Sequence, residues 1–228
     1  MTKPASHATA ECIRCGTCCR KGGPVLHHGD EEILRHHQTV YEHLLTIRKG
    51  ELTYNPLSNM VEQAHQEMIK VSGSGDAWTC CFFIEDDASC MIYDHRFLEC
   101  RLLKCWMPAD IVGIIGKQLL CRSDIINQND PVREIIEMHE RECSLQELKR
   151  WSDEVVIKKE NQEALGKLSG LVQQDMAIRA YAFSDLGLKR DYEHFIFGRP
   201  LTMIMKDFGL SVRTGEQNAT VRKATKDA

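Results

Sequence analysis

The segment Cys12-Ile13-Arg14-Cys15-Gly16-Thr17-Cys18-Cys19 places four cysteines within residues 12–19. Gaps of two residues let a tight loop turn several sulfur atoms toward one centre, and Gly16 can take a positive φ at little energetic cost. Thiolates are ligands of zinc and of iron in iron–sulfur clusters. The stretch therefore predicts a loop that wraps a metal.

A second group of cysteines supplies the remaining ligands. Residues 80–105 contain five cysteines, whereas residues 20–79 contain none. The C-x-x-C-x-x-C spacing is that of the wrapping loop of bacterial ferredoxins, but the fourth, proline-bearing position is absent, so a fourth ligand has to come from this second segment. We expect one thiol of each adjacent pair, Cys18-Cys19 and Cys80-Cys81, to face a second metal or to lie behind the ligands. The predicted metal ligands are Cys12, Cys15, Cys18, Cys19, Cys81, Cys90, Cys100 and Cys105.

Charge and composition exclude several other classes of function. The formal net charge is -4, which gives no basic footprint for nucleic acid. No run approaches the roughly 18 apolar residues of a membrane span, and the first residues carry no signal-peptide pattern. We therefore expect a cytoplasmic protein that binds neither nucleic acid nor membrane. In that compartment clustered cysteines indicate metal or redox chemistry rather than disulfides.

Basic residues accompany both cysteine segments, as a buried group of negative charge requires. We expect Arg96 and Arg101 to lie behind the ligands and Tyr93 to pack the site in place. Cys121 and Cys143 stand alone and are assigned to ordinary packing. The basic residues of the two segments are Arg14, Arg20, Lys21, Arg96, Arg101 and Lys104.

The pattern as a whole predicts an α+β fold, in which a small cysteine-cluster domain with short antiparallel strands precedes a mainly helical C-terminal half. The expected division is a flexible leader at residues 1–10, the cluster domain at 11–108, a helical region at 109–207 and a polar, disordered tail at 208–228. Asp30 is the expected N-cap of a short helix. Two strands flank Lys49-Gly50, and a hairpin turns at residues 85–89.

The helical half has its own start signals. Pro131 suits the beginning of one helix, and Ser144 with Glu147 forms an S-x-x-E capping box for the next. An amphipathic pattern without proline continues from Leu145 to about residue 183. Gly166 and Gly170 weaken it locally and are expected to mark a bend.

These motifs resemble the YkgJ-like cysteine-cluster family, which is described as a zinc- or iron-chelating CxxCxxCC domain. The resemblance rests on the C-x-x-C-G-x-C-C run at residues 12–19, on Cys81-Phe82-Phe83-Ile84, and on a C-x-I/V-Y-x-x-R-P-x-x-C-R motif at residues 90–101. This chain has Phe97 where the family usually has proline, so a less rigid turn is expected. The resemblance covers about residues 11–108. It implies metal binding, and several members hold an iron–sulfur cluster.

Three functions remain open at this point. The first is a metal-binding protein that holds an iron–sulfur cluster, preferably 4Fe-4S, or else zinc, in a redox, sensing or cofactor role. The second is a zinc-stabilised interaction module whose helical half binds an unknown protein partner. The third is a metal-cluster-dependent protein-modifying enzyme, because the flagellin lysine methylases share a cysteine cluster of this sort. No nucleotide-binding loop or catalytic triad supports the enzyme.

Overall fold

The computed structural model of the chain shows the predicted α+β architecture, with short strands followed by a mainly helical half. It describes residues 12, 14–36, 38–75, 78–157, 161–215 and 219–224. The expected leader at residues 1–10 lies outside these residues. None of the described helices combines the length and the apolar character that a membrane crossing needs.

Two antiparallel strand pairs form the first part of the fold. The two strands expected around Lys49-Gly50 are present, but they pair with later strands rather than with each other. All four residues of the first strand are buried, since it lies between its partner strand and the helical half. The pairs are β1 (Leu44–Ile47) with β4 (Met68–Val71), and β2 (Leu52–Asn55) with β3 (Met60–Gln63).

Two very short pairs carry the second cysteine segment. The hairpin predicted around residues 85–89 is confirmed, and it sets Phe83 opposite Cys90. The other pair sets Gly73 opposite Cys80. The pairs are β5 (Gly73–Ser74) with β6 (Thr79–Cys80), and β7 (Phe83–Ile84) with β8 (Ser89–Cys90).

Helices make up most of the chain after residue 97. Pro131 precedes one of them, as predicted. The Ser144 hydroxyl accepts a hydrogen bond from the Glu147 amide at 3.4 Å, which is one of the two bonds of the predicted capping box. The helices are α1 (Glu31–His36), α2 (Leu98–Leu102), α3 (Ala109–Val112), α4 (Arg122–Ile125), α5 (Val132–Glu142), α6 (Leu145–Ile157), α7 (Gln162–Ser184), α8 (Glu193–Phe197) and α9 (Leu201–Asp207).

The amphipathic pattern after Leu145 is interrupted after Ile157, and not at Gly166 and Gly170 as predicted. It forms two helices, α6 and α7, and both glycines lie inside α7, which runs without a break from Gln162 to Ser184. The Asn161 side chain accepts a hydrogen bond from the Ala164 amide at 3.1 Å and caps α7. An N-cap of this kind starts a new helix more effectively than an internal glycine ends one.

The prediction of a disordered tail is wrong for the part of the tail that the structure describes. Residues Leu210–Thr214 (β9) and Ala219–Lys223 (β10) form an antiparallel pair. Leu210 and Val221 are buried, and the Val221 amide donates to the Ser169 hydroxyl on α7 at 3.0 Å. Alternating apolar residues thus give this polar segment one face that packs on α7. Residues 216–218 and 225–228 lie outside the described part.

One hydrophobic core joins the cysteine-rich half to the helical half. Leu44 and Phe97 from the first half belong to the same buried cluster as Leu148 and Phe197 from the second. The Thr46 hydroxyl also donates to the Phe195 carbonyl at 2.5 Å. The division at residue 108 stays a prediction about the sequence, but the packing continues across it.

Candidate metal centre

The first cysteine loop turns back on itself at Gly16. Its φ is +72°, and a Cβ added there would lie 2.4 Å from Phe83 Cζ. The Gly16 carbonyl accepts a hydrogen bond from the Arg20 amide at 2.9 Å, and a short 3-10 turn follows at Cys19–Lys21. Only glycine combines this backbone conformation with so close an approach. The loop is therefore packed directly on the second cysteine segment.

Asp30 positions the helix that carries Cys100. It precedes α1 as predicted, but its fully buried carboxylate accepts hydrogen bonds from the His27 amide at 3.0 Å and from the Leu98 amide at 2.7 Å. Arg101 lies 3.7 Å from the same carboxylate. Burial raises the pKa of Asp30, although these hydrogen bonds oppose the shift. Because Leu98 begins α2, Asp30 fixes the first turn of the helix on which Cys100 lies.

Eight cysteines surround one cavity of about 470 Å³, which we call the metal-centre cavity. Seven of the eight predicted ligands line it. Cys81 does not, and Cys80, which was not among the predicted ligands, takes its place. The structure thus brings both cysteine segments together around one space. The lining cysteines are Cys12, Cys15, Cys18, Cys19, Cys80, Cys90, Cys100 and Cys105.

Cys80 and Cys81 differ in their place in the fold. Cys80 ends β6, pairs with Gly73 and lines the cavity, whereas Cys81 lies in the turn that follows. Cys81 is partly buried and packs against the hydrophobic core, to which Cys80 itself belongs. A hydrogen bond from Cys81 lowers the pKa of Cys80 to about 7, and the same bond, together with burial, raises the pKa of Cys81.

The inner thiols of the cavity oppose one another's ionisation. Burial raises the pKa of Cys19 to about 12, and the neighbouring thiols of Cys18, Cys80 and Cys90 add to the shift. Burial likewise raises the pKa of Cys100, again with contributions from Cys80 and Cys18. A bound cation relieves this repulsion by taking the place of the protons. The crowded thiols are thus a donor set for a soft metal.

An aromatic ring with two cations lies at the wall of the cavity. The guanidinium carbons of Arg14 and Arg96 lie 4.2 and 3.8 Å from the centre of the Tyr93 ring. The Arg96 Nε also donates to the Tyr93 carbonyl at 2.8 Å. All three residues line the cavity. Arg101, which was expected behind the ligands, is not among the lining residues and pairs with Asp30.

Two polar residues near the cavity were not predicted. Lys70 donates to the Gly23 carbonyl, and burial lowers its pKa despite the charges of Glu99, Cys80 and Cys100. Glu99 lines the cavity and accepts a hydrogen bond from the Val25 amide at 2.8 Å. These bonds join residues 47 and 74 positions apart, so no local pattern in the sequence reveals them.

The donor set of the cavity fits a soft, thiol-binding metal such as zinc or iron. A zinc tetrahedron with Zn–S bonds of about 2.3 Å places its sulfur atoms about 3.8 Å apart. The Cys18 and Cys19 sulfurs are 3.9 Å apart, but within the described part of the chain no three cysteine sulfurs lie within 4.8 Å of one another. A cluster holds its thiolates further apart because metal and sulfide atoms stand between them.

His139, Cys143 and Asp175 form a separate buried group whose candidate ligand atoms lie within 4.8 Å of one another. The Asp175 carboxylate is already engaged: Oδ1 accepts from His139 Nε2 at 2.7 Å and from Arg179 Nε at 2.8 Å, and Oδ2 accepts from the Leu201 amide. Arg48 and Arg179 also bring positive charge close to His139. Binding of a metal cation is therefore unfavourable here. We interpret the group as a polar network within the core.

The fold and the cavity define a cysteine-rich metal-chelating protein, in which strands and a short helix bring thiols from two distant segments together. Residues 11–117 match the family model "CxxCxxCC: Putative zinc- or iron-chelating domain", so this part of the chain is similar to that family. The match confirms the suspected resemblance and extends it by nine residues, from 108 to 117. No curated protein and no solved structure matches the chain.

Phe97, at the family's usual proline position, does not leave a loose turn. It has φ -61° and is 1% exposed. That φ is the value proline imposes, so the backbone keeps the proline-like conformation. Packing holds it, since the Phe97 ring lies 6.5 Å from that of Phe82 within the core.

Proposed function

We propose that the protein holds an iron–sulfur cluster, of the 4Fe-4S type, in the metal-centre cavity and serves in electron transfer, sensing or as a cofactor-bearing protein. The observation that carries this proposal is the spread of eight thiols around one cavity of about 470 Å³, with no three of the described sulfurs close enough for a preformed zinc tetrahedron. One-electron transfer is the chemistry that such a cluster supplies when bound.

The ligands we propose are Cys18, Cys80, Cys90 and Cys100. They are part-buried or buried. The charges of Cys18, Cys80 and Cys90 raise the pKa values of both Cys19 and Cys100. Cys12, Cys15 and Cys105 are exposed, and we place them at the outer side of the cavity. Cys19 lies beside Cys18 and is the alternative ligand at that corner.

The residues around the cavity support a group of negative charge. Four thiolates on a resting cluster carry a net charge of about -2, and Arg14, Arg96 and the buried Lys70 lie at or near the cavity wall. Phe82 and Phe97 are apolar lining residues, and they keep water from part of the surface. Burial and positive charge of this kind set the reduction potential of a cluster.

Zinc is the second candidate, supported by the Cys18–Cys19 sulfur separation of 3.9 Å. In that case a closed zinc site contributes folding energy, and the helical half serves as the surface for a protein partner. A protein-modifying activity remains a third proposal, and it rests on the cysteine-cluster resemblance alone.

The deciding experiment is purification without oxygen, followed by iron, sulfide and zinc analysis. We expect iron and acid-labile sulfide in equal amounts, together with a broad visible absorption that bleaches with dithionite. Cys80→Ser is expected to lose most of the iron, and Cys121→Ser, outside the cavity, is the control. Colourless protein that contains zinc alone would exclude the cluster and leave the zinc proposal.

A further inference from the structure

The metal-centre cavity has a closed inner side and an open outer side. Cys80 is only 8% exposed, and Cys18, Cys90 and Cys100 are partly buried, whereas Cys12 and Cys15 are exposed. Cys12 and Cys15 lie on the first cysteine loop, and the third exposed thiol of the cavity, Cys105, follows α2. The loop therefore forms part of the outer cover of the cavity, where bound metal lies close to solvent.

The loop is held to the second cysteine segment at two places. At Gly16 it packs on Phe83, and Arg20 pairs with Glu85 at 2.7 Å. Nearer its start, Arg14 lies with its guanidinium carbon 4.2 Å from the centre of the Tyr93 ring. The first contact lies at the turn of the loop, and the second lies between the two exposed cysteines. Opening of the first cysteine loop near its start therefore has to break the Arg14–Tyr93 contact.

Arg96 holds Tyr93 in the position in which its ring contacts Arg14. The Arg96 guanidinium carbon lies 3.8 Å from the ring centre, and its Nε donates to the Tyr93 carbonyl at 2.8 Å. The backbone at Arg14 has φ +53°, a conformation that non-glycine residues adopt rarely. A residue held in such a conformation needs surrounding contacts that maintain it. Stacking of the guanidinium on Tyr93 is such a contact.

We propose that Tyr93 is a latch: by holding Arg14 it keeps the first cysteine loop closed over the cavity and slows the release of the bound metal. The inference rests on the proposed metal-holding function but not on the identity of the metal. Arg14 also faces the negative charge of the metal–thiolate group, so binding of metal and closure of the loop favour each other.

The test is the rate of metal release from the intact, metal-loaded chain. Protein purified without oxygen is mixed with pyridylazoresorcinol, a chelator that gives coloured complexes with iron and with zinc, and release is followed by absorbance. Tyr93→Leu removes the ring and is expected to release metal about tenfold faster. Tyr93→Phe keeps the ring face and is expected to release metal at the wild-type rate.

Arg14→Gln provides a second variant that does not risk the core, because Arg14 is exposed. It is expected to release metal several-fold faster, and combining it with Tyr93→Leu should add little, since both changes break one contact. The matched control is Arg150→Gln on α6, which removes a similar cation–ring contact with Trp151 at 4.7 Å outside the cavity. That variant is expected to leave the rate unchanged.

The outcomes separate the two proposals. A wild-type protein without iron or zinc would overturn the metal-holding function itself. Metal-loaded protein in which Arg14→Gln and Tyr93→Leu release metal at the wild-type rate would overturn the latch alone. Fully additive effects of the two substitutions, or equal acceleration by Tyr93→Phe and Tyr93→Leu, would also overturn it.

Discussion

Cys80 and Cys81 are consecutive residues, yet only Cys80 lines the metal-centre cavity, and a hydrogen bond from Cys81 lowers the pKa of the Cys80 thiol to about 7. The thiol turned toward the cavity is thus the one that ionises more readily. Ionised thiols are the form that binds metal. Cys80 is therefore the candidate ligand and Cys81 its hydrogen-bond partner, although the sequence alone does not distinguish the two residues.

Cys80→Ser is therefore expected to reduce metal content strongly, whereas Cys81→Ser is expected to keep most of it. The reason is that only the first substitution removes a sulfur from the cavity. Metal analysis of both variants, purified in parallel without oxygen, provides the measurement. Greater metal loss from Cys81→Ser than from Cys80→Ser would contradict the placement of the two side chains.

Much of the site can be predicted from the sequence, because it depends on residues that are close together in the chain. The spacing of Cys12, Cys15 and Cys18 already predicts a wrapping loop, and Gly16 has the positive φ expected of it. The hairpin that turns at residues 85–89 also follows from turn preferences. Local patterns of this kind act over a few residues, so they survive folding unchanged.

The remainder depends on contacts between distant segments. Cys80 ends β6 opposite Gly73, and Cys81 lies in the turn that follows. Two adjacent cysteines in a sequence do not show which of them will line the cavity. Asp30 was assigned to α1 by its position, but its carboxylate accepts from the amide of Leu98, 68 residues away. No periodicity in the sequence carries such information.

Gly16→Ala is expected to destabilise the cysteine loop and lower metal content. Its φ of +72° is unfavourable for alanine, and the added Cβ would lie 2.4 Å from Phe83 Cζ. Gly166 on α7 is the matched control, since a Cβ there meets nothing within 4 Å. Gly166→Ala is expected to stabilise the protein by about 0.5–1 kcal/mol. Urea denaturation and metal analysis measure both effects, and a metal content equal to wild type in Gly16→Ala would contradict the first.

Arg48 joins the cysteine-rich half to the helical half, and its replacement is expected to be costly. Its guanidinium is 1% exposed, donates to Glu140 at 2.9 Å and donates to the Cys143 carbonyl at 2.8 Å. Arg48→Met should lower the free energy of unfolding by about 3 kcal/mol, because a buried carbonyl loses its donor and Glu140 loses one partner. The control is Arg141→Met at the exposed pair with Glu142, where a change below about 0.5 kcal/mol is expected. Similar decreases in the free energy of unfolding in the two variants would show that the buried Arg48–Glu140 pair adds no more stability than the exposed one.

His139 is expected to make the protein less stable in mild acid. Burial lowers its pKa below the ordinary value, although the Asp175 hydrogen bond opposes the shift, so the folded state keeps a neutral imidazole that donates from Nε2 to Asp175. The unfolded chain takes up a proton below about pH 6.5 and the folded chain does not. The stability that the neutral form contributes is therefore complete above that pH and is lost progressively as the pH falls toward the lowered pKa.

The measurement is the free energy of unfolding between about pH 7 and pH 5, for wild type and for His139→Gln. Glutamine donates a hydrogen bond without titrating, so the variant should lose less stability over this range, although it is less stable at neutral pH. Acid also weakens metal–thiolate bonds, but that loss is common to both proteins and cancels in the difference between them. Parallel curves for the two proteins would mean that His139 has the same pKa in the folded and the unfolded chain, and would contradict a pKa lowered by burial.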